Sequence, residues 1–160
     1  MPHINKLYDY TVSAFIVCDN KILLVHHKAL KTWLPIGGHI ELDETPDEAL
    51  YREIYEECGL RSEDLCFIDT RSFKPQNSQT YKQGLQPVQV ETHVIHGVHS
   101  HISLDYVAES DTDTVSLAPS EHHGIGWYTL QQLKKLTPAP PENVILTADY
   151  AMRLVKSKKE

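Results

Sequence analysis

Two apolar runs open the readable pattern: TVSAFIVC over residues 11–18 and KILLVHH over residues 21–27, separated by Asp19-Asn20. β-branched and apolar side chains flanking an Asx-rich two-residue turn predict a β-hairpin. Residues 28–44, KALKTWLPIGGHIELDE, hold Pro35, Gly37 and Gly38 and read as a loop. Residues 45–59, TPDEALYREIYEECG, carry the strongest helix signal in the chain. Thr45 is the N-cap, Pro46 takes the first turn, Glu48 completes a capping box, and Gly59 suits a left-handed C-cap.

Further along, DLCFIDTRSF (64–73) reads as a strand, and KPQNSQTYKQGLQP (74–87) as a polar, mobile loop. VQVETHVIHGV (88–98) alternates Val88, Val90, Thr92 and Val94 against Gln89, Glu91 and His93, which predicts a half-buried strand. HISLDYVAE (101–109) is another strand, DTDTVSLAPSEHHG (111–124) a loop, and IGWYTL (125–130) a short strand leading into a helix at LQQLKKL. Prolines 138, 140 and 141 break the chain before an amphipathic helix at 142–158, with Val144, Ile145, Ala148, Ala151, Met152 and Val155 at helical spacing. Strands interleaved with two or three helices imply an α+β domain, a mixed sheet with helices on its faces, in one unit over residues 1–160.

Charge narrows the partners. A formal net charge of −7 without a Lys/Arg patch argues against binding a nucleic acid polymer through its phosphates. Three cysteines without C-x-x-C spacing read as free thiols of a reducing compartment. The first apolar stretch is interrupted by Asp19, Asn20 and Lys21, so neither a signal peptide nor a membrane span is expected. The expectation is a cytoplasmic protein with no membrane partner.

At 100° per residue the 45–59 helix places Leu50, Ile54 and Cys58 on one side and Glu53, Glu56 and Glu57 on the other. Clustered carboxylates repel, and taken alone they suit a solvated face. Gly37-Gly38 just upstream changes the balance. Carbonyls without a neighbouring Cβ can approach the same spot, and oxygen donors of this kind suit Mg²⁺ or Mn²⁺.

From Gly38 the chain then reads Gly38, five residues, Glu44, seven residues, and Arg52-Glu53-Ile54-Tyr55-Glu56-Glu57-Cys58-Gly59-Leu60. This resembles the Nudix box, G-x5-E-x7-R-E-U-x-E-E-x-G-U with U aliphatic, at every specified position. The upstream WLPIGGHIE is also similar to the family's approach to the box, with Ile36 inserted where Pro-Gly-Gly is usual. The resemblance implies an α/β/α sandwich with a catalytic loop–helix–loop. It also implies metal-dependent hydrolysis of a nucleoside diphosphate linked to another group. By that resemblance Glu53, Glu56 and Glu57 are metal carboxylates and the Gly38 or Gly37 carbonyl is a further ligand. Arg52 orients Glu53, Glu44 supports, and Glu121, in the loop before Trp127, binds metal or acts as general base.

Other candidates are weaker. Trp33 and Tyr81 offer rings that can stack on a base, with packing the commoner role for Trp33. Of the ten histidines, His93, His96, His99 and His101 cluster near one strand connection without zinc spacing or cysteine partners, and read as polar strand-face residues. His26-His27 and His122-His123 read as surface. Pro75 falls near a proline of the family's ADP-ribose branch, a faint pointer, and the array that marks its NADH-cleaving branch is absent after the box. The substrate stays open, as does oligomeric state, a homodimer included. The alternative is a catalytically silent module that senses a nucleotide or ADP-ribose-like metabolite. The complete carboxylate set favours the enzyme.

Overall fold

A computed structural model describes residues 5–73 and 77–159, with only the backbone of His96. Pro75 lies outside the described residues. Asp19 and Asn20 both adopt positive φ (46° and 58°), and join β1 (Tyr8–Cys18) to β2 (Lys21–His27) with Val17 opposite Ile22. Backbone twist of that sign matches the flanking strands, which is why two Asx residues suffice. β1 is central, and from Ala14 onward it is apolar on both faces. Val12, Ala14 and Ile16 enter one core, and Phe15 and Val17 the other.

The expected loop at 28–44 contains two short strands, β3 (Thr32–Leu34) and β4 (Ile36–His39), and is irregular elsewhere. Glycine-rich sequence hides β4, yet it pairs antiparallel with β1 from Thr11–His39 to Ala14–Ile36. Its glycines are demanded by proximity: a Cβ at Gly37 would strike the Val12 carbonyl, and one at Gly38 the Glu53 carboxylate.

α1 (Pro46–Cys58) follows the expected boundaries. Thr45 Oγ1 accepts from Glu48 N at 3.3 Å, Glu48 Oε2 accepts from Thr45 N at 2.8 Å, and Gly59 closes the helix at φ 74°. The strand after it is shorter than expected: β5 is only Leu65–Phe67. β6 (Gln89–His96) and β7 (His99–Ser110) form a second hairpin, and β8 spans His122–Tyr128. The chain ends in a four-residue α2 (Leu130–Leu133) and α3 (Glu142–Lys159).

Among the described residues the sheet has eight strands in the order β3-β2-β1-β7-β5, with β4 beside β1, β6 beside β7 and β8 beside β2. β1 and β7 pair in parallel, and the other pairs are antiparallel. α1 packs on one face through Ala49, Leu50 and Ile54, and α3 on the other through Val144, Ala148, Ala151 and Val155. This is the implied sandwich. β6 departs from its expected orientation: Val90 (59 %) and Val94 (71 %) are exposed, while Gln89 and Glu91 are half-buried. Polar partners on β7 decide this, since Gln89 Nε2 donates to Asp105 Oδ2 at 3.2 Å. No helix among the described residues is long and apolar enough to cross a membrane.

Removing the N-cap tests how far α1 rests on local signals. Thr45→Ala should cost about 1 kcal/mol and lower Tm by about 2–4 °C. Thermal denaturation followed by circular dichroism would register it.

Candidate functional site

The helical wheel separates the carboxylates from the core, but the structure buries two of them. Glu53 (6 % exposed) and Glu57 (3 %) sit beneath β4, and Glu56 alone is open to solvent. The difference comes from the glycine pair, which lets β4 lie directly over that side of α1.

Arg52 organises the near end. Its Nε and Nη2 clasp Glu44 at 2.5 and 2.8 Å, Nη1 donates to Glu53 Oε1 at 2.7 Å and Glu56 Oε2 at 3.3 Å, and Nη2 donates to the His39 carbonyl at 3.0 Å. The two-pronged grip thus falls on Glu44, and Glu53 receives a single bond. Desolvation pushes the Glu53 carboxyl up to about 7, against the pull of Arg52 and with further push from Glu57 and Glu56.

Glu57 is held from both sides. Its Oε2 accepts from Gly37 N at 2.9 Å, and its Oε1 faces His122 Nε2 at 2.7 Å. His122, expected at the surface, has 1 % exposure. A β-bulge explains the error: His26 pairs with Gly124 but His27 with His122, so His123 is the extra residue and strand parity flips. Simple alternation along HHGIGW cannot reveal that turn inward. Glu121 is exposed at the end of the preceding loop, where its backbone carbonyl accepts from Lys28 N at 3.0 Å. Ligand atoms of Glu57, Glu121 and His122 lie within 4.8 Å of one another. Residues 77 positions apart in sequence, Glu44 and Glu121, thereby flank one acidic centre.

The aromatic candidates lie apart from it. Trp33 stacks on His26 (5.1 Å) and meets Tyr128 edge-on (5.2 Å), packed against the α3-side core. Tyr81 is exposed on a loop tied to the start of α1 by Leu85 N donating to Asp47 at 3.1 Å.

The family model of the NUDIX domain matches residues 7–150. The chain belongs to the Nudix family. A Nudix-family hydrolase structure from Clostridium perfringens shares 32 % identity at TM-score 0.76, covering 92 % of this chain and 97 % of that one. The fold also matches an Ap4A hydrolase from C. elegans at TM-score 0.68, with 16 % identity over 93 % and 96 % of the two chains. Among curated proteins, an RNA pyrophosphohydrolase of Aeromonas hydrophila is 35 % identical over 57 residues, 34 % of this chain and 33 % of its own. The NAD-capped RNA hydrolase NudC of Haemophilus influenzae is 23 % identical over 131 residues, 79 % of this chain and 40 % of its own. The match thus spans well under half the length of these curated relatives.

The box carboxylates thus fall into two neighbouring hydrogen-bonded groups at α1, one around Arg52 and one joining Glu57 to Gly37 and to His122, which lies outside the box. The perturbed Glu53 has a measurable consequence. Its folded carboxyl titrates at about 7 against 4.5 ordinarily. Its stabilising contribution is thus complete below about pH 4.5 and lost as pH rises through about 7. Replacing it by a neutral amide removes that loss. In chelator, Glu53→Gln should match wild-type Tm near pH 5 and exceed it near pH 8, while parallel melting curves would refute the buried, perturbed carboxyl.

Proposed function

We propose that this Nudix protein is a divalent-metal-dependent hydrolase cleaving a phosphoric anhydride bond in a nucleotide derivative. The observation that carries the reading is Glu57, fixed by the Gly37 amide and the His122 imidazole, with Glu121 beside it. The donor set fits Mg²⁺ or Mn²⁺: carboxylates and a glycine carbonyl are hard oxygen ligands. One guanidinium, Arg52, stands among Glu44, Glu53 and Glu56, so the cluster keeps room for a further positive charge.

In this reading Glu57, Glu53 and the Gly38 carbonyl hold the cation, with Glu56 at the open side. When bound, the cation neutralises phosphate charge and acidifies water. The chain's own residues prepare the rest. Glu44 locks Arg52, and Arg52 orients Glu53. His122 donates to Glu57 and fixes that carboxylate, as partners behind a ligand do in metal sites. Glu121, on a separate element and not tied to Arg52, accepts the proton of the attacking water. Trp33 is committed to ring packing, and Tyr81, exposed on a loop tied to the start of α1, is left as the ring that base stacking would require that loop to bring in.

The enzyme reading is preferred to a silent sensor because binding alone does not require Glu53 and Glu57 to be buried together at such cost. Candidate substrates are nucleoside triphosphates, ADP-ribose and dinucleoside polyphosphates, the last in line with the Ap4A hydrolase neighbour, and the names of the RNA pyrophosphohydrolase and NAD-capped RNA hydrolase relatives add RNA to the compounds to be screened.

A phosphate-release screen over those compounds should give activity that is lost in EDTA and restored by Mg²⁺ or Mn²⁺. Activity in the stripped protein would rule out the metal reading. On the substrate so found, Glu121→Gln should lower kcat by about 10²–10⁴ with little change in KM. Its stability should stay within about 0.5 kcal/mol of wild type, as for an exposed substitution. An unaltered kcat would transfer the base to Glu53.

A further inference from the structure

On the opposite face of the sheet from α1, His39, His99 and His101 gather around one buried carboxylate, and the exposed His93, 3.7 Å from Glu91, packs against the outer side of His101. Asp9 on β1 is fully buried. Its Oδ1 accepts from Asn5 N at 2.6 Å and Asn5 Nδ2 at 3.3 Å. Its Oδ2 faces His99 Nε2 at 3.4 Å and His39 Nε2 at 3.6 Å. Register brings these groups together: Asp9 pairs with His101 across β1–β7, Thr11 with His39 across β1–β4, and His93 with His101 across β6–β7. The His101 ring meets those of His39 at 4.7 Å and of His93 and His99 at 5.5 Å, each edge-on.

We propose that Asp9, His39 and His101 form a second metal site, separate from the Nudix carboxylates, that takes a late first-row divalent cation such as Zn²⁺. Ligand atoms of these three residues lie within 4.8 Å of one another, a spread a single cation closes by small side-chain rotations. Two imidazoles and a carboxylate suit zinc, cobalt or nickel rather than Mg²⁺. A structural ion pair accounts for the cluster less well. One imidazolium neutralises Asp9, and further histidines packed around it add mutual repulsion if charged. Neutral imidazole is the ligand form. His99 fits as the orienting neighbour, its Nδ1 3.3 Å from the Lys6 carbonyl. The site draws on β1, β4 and β7, so a cation there ties together the strand bearing Gly37 and Gly38 and the centre of the sheet.

The test uses the full-length chain without a histidine tag. It is stripped with EDTA and then dialysed against micromolar free Zn²⁺ or Co²⁺ in excess Mg²⁺. Wild type and Glu57→Gln should each retain about one zinc per chain and, with Co²⁺, show visible d–d bands of imidazole ligation. His101→Gln, at a half-buried position that leaves the fold intact by circular dichroism, should weaken zinc retention more than about tenfold. Asp9→Asn should do the same where it folds. Wild type that retains no zinc, zinc retention unchanged in both His101→Gln and His39→Gln, or zinc lost in Glu57→Gln would overturn the proposal.

Discussion

Burying ionised carboxylates between a helix and a sheet is costly unless their oxygens are met by donors or cations. In this chain that constraint falls on Glu53 and Glu57, and neighbouring features answer it. Gly38 keeps the backbone clear of Glu53. Gly37 offers its amide to Glu57, and His122 arrives from β8 with a second donor. Arg52 spreads one positive charge over Glu44, Glu53 and Glu56. Burial raises the Glu53 carboxyl well above the ordinary carboxylate range, and the single bond from Arg52 pulls it back only in part.

Both faces of the sheet thus carry ionisable groups at the end where β4 leaves room. β1 shares one edge between β2, at Val17–Cys18, and β4, at Thr11–Ala14. Apolar residues fill the half next to β2. The half next to β4 is polar, with Asp9, Thr11 and Ser13 on the α3 side of the sheet and the carboxylates of α1 on the other. His39 joins the two: its carbonyl accepts from Arg52 while its ring stands against Asp9 and His101.

Legibility tracked the range of the causes. α1, its caps and the β1–β2 hairpin were readable because capping box, turn chemistry and periodicity act within a few residues. β4 was not, since two glycines erase the strand signal and only pairing with β1 restores it. β6 was turned over because Asp105, distant in sequence, rewards Gln89 for facing inward. Within the site, the box named Arg52, Glu53, Glu56 and Glu57, but burial of Glu53 and Glu57 depended on how β4 lies across them. His122 was missed because one bulged residue reverses the alternation, and the Asp9–His39–His101 group because its members come from three strands.

The parallel pairing of β1 with β7 joins residues about 90 positions apart, from Tyr8–Ser100 to Val17–Glu109. Such a closure is entropically demanding and comes late relative to local structure. α1 lies inside the closed segment and carries its own capping box, so its turns can form while the sheet is still open. During that interval Glu53 and Glu57 are still exposed to water. Only when the long pairing zips and β4 settles on β1 are they stripped of solvent. The desolvation that tunes Glu53 therefore weighs on the final stage of folding.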